Sequence, residues 1–152
     1  VNAVQYAEQE LGVHKVYEEA NAFLADLDMQ MTALDAVLDT RRTLDEKISD
    51  YEMDLAIEER GKHADHSEAA FARHLKEVLH KDQTLRDLKQ ERNTAASKAS
   101  GLELDIEHTK YKIKVRVARM EELNGLLQFY GVAKLTEAAT SGRPAASGGE
   151  AN

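Results

Sequence analysis

Cysteine and tryptophan are absent from this 152-residue chain, proline occurs once, and aromatic residues make up only 5% of it. Without cysteine there is no disulfide, no thiolate nucleophile and no cysteine metal site, whereas the redox compartment stays open. So few turn and aromatic residues argue against a sandwich, a barrel or an α/β enzyme core, all of which need many short strands. Long hydrophobic runs are also missing. No segment approaches the roughly eighteen apolar residues of a membrane span. The opening "VNAVQYAEQELGVHK" lacks the basic-then-apolar order of a signal peptide. The expectation is a cytoplasmic protein with no membrane partner. Gly61, Gly101 and Gly125 are solitary, so no glycine-rich phosphate loop can be drawn, and no nucleophile elbow or serine–histidine–acid arrangement is found. An enzyme is not expected, and neither a cofactor nor a catalytic residue is assigned.

What the chain does contain is charge, 32% of its residues, unevenly placed. Residues 1–60 hold 15 acids and 5 bases, net −10, and residues 61–152 hold 13 acids and 15 bases, net +2, which together give the −8 of the whole. Two halves that attract one another suggest a chain folded back on itself. Its length suits one domain.

Apolar periodicity names the elements. Leu24, Leu27, Met31, Leu34 and Leu38, then Leu44, Ile48, Tyr51 and Leu55, alternate spacings of three and four, the seam of a coiled coil. The shortened step past Arg41 reads as a stammer. In the second half Leu85, Arg92, Ala99, Ile106, Ile113, Met120 and Leu127 recur every seven residues, and Leu88, Ala95, Leu102, Thr109, Arg116, Leu123 and Tyr130 fill the second seam position. That register decides how "YKIKVRVARM", 111–120, is read. Alone, its alternation of lysine or arginine with isoleucine or valine spells a strand with a basic face. A helix places Ile113 in line with Ile106 and Met120, with Val115 and Val117 on the flanks, and so explains a far longer stretch.

Between the long segments, "GKHADHSEAAF" supplies Gly61 as a helix C-cap and Asp65 with Glu68 as a capping box. A short helix should then begin near His66, and Asp82 should cap the next one. The expected fold is all-α: an elongated antiparallel helical hairpin, its arms at about 3–60 and 83–135, its tip at 61–82 carrying the short helix, and a disordered glycine-rich tail over 136–152. Aligning the seams sets Leu34 opposite Ile106 and Ile48 opposite Arg92, with Gly12 and Gly125 at the crossing of the far ends, where small residues either let the backbones approach closely or, at Gly125, merely fray the helix.

Candidate functional residues fall in three groups. His63, His66, His74 and His80 gather near the tip with Asp65. Imidazole and carboxylate are zinc ligands, but none of these shows the paired spacing of a known zinc motif, so capping and solvation are the preferred reading and no metal site is expected. Adjacent acids such as Glu58 and Glu59 point about 100° apart on a helix and read as solvated surface. Arg73, Lys76, Lys81, Arg86 and Lys89 form the best candidate contact for nucleic acid or an acidic partner, although the interleaved Glu77, Asp82 and Asp87 weaken its field. Leu123, Leu126, Leu127, Phe129 and Tyr130 are the candidate protein interface, because an apolar patch of this size marks an oligomer or partner contact.

The segments "EAAFARHLKEVLHKDQTLRDLK" and "ARMEELNGLLQFY" resemble small coiled-coil proteins encoded by tailed phages of actinobacteria. The resemblance covers residues 68–130 and implies an accessory role in DNA recombination or replication, in the cytoplasm of a bacterial host. It carries no functional residue across. The function expected is that of a non-enzymatic coiled-coil interaction protein, an adaptor that binds protein partners and forms a homo-oligomer. The alternatives are a DNA-binding protein like the Gam family of phage end-binding proteins, which the acidic first half disfavours, and a phage scaffold or assembly chaperone.

Overall fold

In the computed structural model the described residues are Gln5, Tyr6, Gln9 and 12–141, with side chains described as far as 131. The fold is all-α. Three helices follow in order: α1, Val13–Lys62; α2, Glu68–Lys81; and α3, Gln83–Ser141. No strand occurs among the described residues, and "YKIKVRVARM" is helical throughout. No helix among them is long and apolar enough to cross a membrane. The helical backbone of α3 includes 136–141, where the tail was expected to have begun, and 142–152 lie outside the described residues.

The chain divides into two compact units. One comprises Asp26–His108. Its core is the buried cluster of Val37, Ala95 and Ala99, against which Leu34 and Leu102 pack, and Leu44, Ile48, Leu85 and Ile106 are buried as well. On α3 Leu85, Leu88, Arg92, Ala95, Ala99, Leu102 and Ile106 are all buried or half-buried. On α1 the buried stripe differs from the expected one. It runs through Leu27, Leu34, Val37, Leu44, Ile48, Tyr51 and Leu55, whereas Met31 and Leu38 are exposed. Gln30 and Arg41 occupy the stripe positions between these residues, so the spacing of three and four continues without a stammer. Two polar side chains on the stripe make the neighbouring Met31 and Leu38 the more apolar choice by sequence. Surface burial follows geometry, and the geometry puts Val37 inside.

Between α1 and α3 in this unit, Asp45 meets Arg92 at 3.6 Å and Glu52 meets Lys89 at 2.7 Å, and the Tyr51 hydroxyl donates at 3.2 Å to Oδ2 of Asp82, the residue that precedes α3. Asp45 stands one helical turn before Ile48 on α1, within reach of the long Arg92 side chain. Ion pairs this exposed contribute at most about 1 kcal/mol each. The apolar stripe supplies most of the stabilisation.

The other unit comprises the residues up to Ala25 and those from Thr109 onward. Ala20 and Leu123 are buried, as is the polar Thr109. Phe23 carries the Lys112 ammonium at 5.5 Å and the Arg116 guanidinium at 5.8 Å from its ring centre. Arg116 also pairs with Glu19 at 2.7 Å, although its buried Nε–H is not aligned for a hydrogen bond. The basic face of 111–120 is therefore partly occupied by an aromatic ring and an acid. Gly12 has φ +62°, a left-handed conformation that glycine adopts without steric cost, and it immediately precedes α1. Among the described residues, no atom lies within 4 Å of where a Cβ would stand on Gly12 or Gly125, so none of them makes a close backbone approach to either glycine.

Candidate functional site

The most concentrated chemistry lies where α1 gives way to α2. Gly61 does not end α1: it is helical, and the helix continues to Lys62. The His63 N–H still donates to the Glu59 carbonyl at 3.0 Å, which stacks the side chains of Glu59 and His63 on one face, four residues apart. A tight turn follows, closed by the His66 N–H on the His63 carbonyl at 3.1 Å. It brings the His66 ring over His63, with centroids 4.7 Å apart and planes at 23°. The cap of α2 is Ser67, whose hydroxyl accepts from the Ala70 N–H at 3.4 Å, in place of the expected Asp65. Glu68 serves Arg60 instead of a capping box, at 2.6 Å. The Arg60 guanidinium also donates to the His66 carbonyl at 3.4 Å and lies 4.7 Å from the Phe71 ring centre. One arginine therefore ties the end of α1 to both the turn and α2.

Two turns into α2, His74 meets this assembly. Its Nε2 is 2.8 Å from Glu59 Oε2, and His63 Nε2 is 3.8 Å from the same oxygen. Lys62 Nζ donates to the other oxygen, Oε1, at 3.0 Å, and to Glu58 at 2.6 Å. Glu59 is 8% exposed, so of the acid pair that reads as solvated surface, one member is buried. The hydrogen bond from His74, then that from Lys62, holds the Glu59 carboxyl below the usual carboxylate range against the opposing effect of burial. Lys62 is held above the ordinary lysine range, chiefly by Glu58 and then by Glu59. The His74 ring lies 4.3 Å from that of His63 and 6.0 Å from that of His66. One ligand atom each from Glu59, His63 and His74 lies within 4.8 Å of the other two. An ionised carboxylate thus faces imidazole nitrogens from two segments. Its chemistry is to share protons with them or to hold a cation.

Of the tip residues singled out by sequence, His63, His66 and His74 come together, whereas His80 and Asp65 are exposed and take no part. Glu59 is the residue that sequence reasoning missed. The signal was present in "EERGKH" as a glutamate and a histidine four apart, but ending α1 at Gly61 hides it.

The other two groups fare differently. Lys76 and Lys89 line one shallow groove with Leu75 and Leu79, and Lys89 is paired with Glu52. Arg73 donates to the Ala69 carbonyl at 3.3 Å, Arg86 to the Lys81 carbonyl at 3.1 Å, and Lys81 lies 3.8 Å from Glu77. Along α3, Leu123 is 1% exposed and is part of the interior. Leu127 is half-buried beside Val13 and Met120, and the Tyr130 ring stacks on Tyr6 at 4.4 Å. Leu126 and Phe129, at 42% and 75% exposed, are the members of the set that face solvent. Comparison with known proteins found no matching family model, no matching curated protein and no matching solved structure.

Proposed function

We propose that the chain is a non-enzymatic interaction protein whose two long helices pair as an antiparallel, coiled-coil hairpin, and that it self-associates through the later part of α3. The observation that carries this reading is the solvent-facing pair Leu126 and Phe129, one helical turn apart and lying next to the buried Leu123. An exposed phenylalanine and leucine on one face are the kind of surface that a second helix covers. The long apolar stripes of α1 and α3, with acids of one meeting bases of the other, support the hairpin. An adaptor works by presenting such faces, and the resemblance to phage coiled-coil proteins supports the narrower role of an accessory in DNA recombination or replication. Direct binding of DNA has less behind it, since Lys89 is held by Glu52, Lys81 lies by Glu77, Arg73 turns back on its own helix, and Arg86 donates to the last carbonyl of α2.

Light scattering on the wild type and on Phe129→Asp tests the reading. The wild type should run as a species larger than one chain, and the variant should fall to the monomer mass. Equal masses for the two would refute self-association through this face. Phe129 is a better probe than Leu127 because its exposure leaves the interior unperturbed.

A further inference from the structure

We propose that Glu59, His63 and His74, completed by His66, bind one divalent transition metal ion of the zinc class. A tetrahedral zinc about 2.0–2.1 Å from each nitrogen or oxygen holds its ligand atoms roughly 3.3 Å apart. Glu59 Oε2 lies 2.8 Å from His74 Nε2 and 3.8 Å from His63 Nε2, values that straddle the required separation. Shifts of about 0.5 Å, within the reach of side-chain rotation, would seat the ion. The ligand atoms of Glu59, His63 and His74 lie within 4.8 Å of one another, and the His66 ring is 4.7 Å from that of His63 and 6.0 Å from that of His74. Imidazoles bound tetrahedrally to one zinc have centroids roughly 5 Å apart.

Two further observations separate this cluster from histidines gathered by chance. The carboxylate is buried, with its second oxygen held by Lys62 at 3.0 Å. That contact orients a ligand carboxylate and leaves Oε2 for the ion, as outer hydrogen bonds do in metal sites. The second is His66 Nδ1, which is buried with no hydrogen-bond partner. A buried polar nitrogen left unmatched is destabilising, and a metal bond would satisfy it. Without the ion, His74 Nε2 and Glu59 Oε2 share a hydrogen bond at 2.8 Å, and the ion would replace that contact with one bond to each atom. Imidazole with carboxylate selects zinc, nickel, copper or cobalt, and passes over magnesium and calcium, which take oxygen sets. The bound ion would link the last turn of α1, the connecting turn and the middle of α2.

Calorimetric titration of the full chain with zinc chloride should show one site per chain, and magnesium chloride should give no heat. His63→Ala, His74→Ala and Glu59→Gln should each weaken binding at least tenfold, His66→Ala several-fold or more, and His80→Ala less than twofold. Far-ultraviolet circular dichroism on each variant distinguishes ligand loss from unfolding. Cobalt(II) should give the intense visible absorption of a tetrahedral ion. Absence of zinc binding at 100 μM, a loss from His80→Ala equal to that from His74→Ala, or the weak octahedral cobalt spectrum would each overturn the proposal.

Discussion

Asp82 joins all three helices, and replacing it with alanine should be costly for a residue that is neither in the core nor fully exposed. Its backbone N–H closes α2 on the Val78 carbonyl at 3.0 Å, and this contact survives the substitution. Its side chain does two other things. Oδ1 accepts from the Leu85 N–H at 2.7 Å, the N-cap bond of α3, and Oδ2 accepts from the Tyr51 hydroxyl of α1 at 3.2 Å. Losing an aspartate cap costs about 1 kcal/mol, and losing a partly buried hydrogen bond from tyrosine costs about 1 kcal/mol more. Asp82→Ala should therefore destabilise by about 2 kcal/mol, roughly 30-fold in the folding equilibrium. Asp82→Asn keeps an oxygen for the cap and an amide that can meet the phenol, and it should cost about 0.5 kcal/mol or less. Urea denaturation followed by circular dichroism at 222 nm measures both. A double-mutant cycle with Tyr51→Phe isolates the link to α1, with an expected coupling of about 1 kcal/mol. If Asp82→Ala costs under about 0.5 kcal/mol, or Asp82→Asn costs as much as Asp82→Ala, then Asp82 does not join the helices in this way.

Glycine substitutions distinguish helix interior from cap. Gly61 is helical with open space around its missing Cβ, so Gly61→Ala should stabilise by about 0.5–1 kcal/mol; a loss of stability would mean that Gly61 terminates α1 after all. Gly12, at φ +62°, should respond oppositely, Gly12→Ala costing about 1 kcal/mol, readable as a lowered denaturation midpoint. In the core, Leu85 is 1% exposed, and Leu85→Ala should cost about 2–5 kcal/mol. Leu104, at 73% exposed, should change by no more than about 0.5 kcal/mol on the same substitution, and equal effects at the two sites would contradict the packing of α3.

The candidate site was only partly legible. Sequence places His63, His66 and His74 close together along the chain, but it is the turn closed by His66 on the His63 carbonyl that brings their rings together. Sequence does not bring in Glu59, since burial of that carboxylate depends on α2 folding against the end of α1, and a glutamate beside another glutamate reads as surface. The capping residue was misplaced for a related reason. Asp65 and Ser67 are both good caps, and the choice fell to Ser67 once the turn through His66 had absorbed Asp65 and Arg60 had claimed Glu68. The candidate interface was narrowed in the same way: its five residues cover several faces of α3, and burial removes Leu123 from any contact with a partner.

The heptad spacing over 85–130 and the scarcity of proline made the long helix of the second half inevitable, and Asp82 marked its start. These are local properties: one turn of backbone and a repeat along a single cylinder are enough to specify them. Which stripe of α1 is buried could not be read in that way. The stripe through Leu34 and Val37 and the one through Met31 and Leu38 lie side by side on the same helix, and only the surface of the packed partner selects between them. The meeting of Glu59 with His74 likewise belongs to tertiary structure, because residues fifteen apart in sequence come to 2.8 Å only after the chain between them has turned and capped.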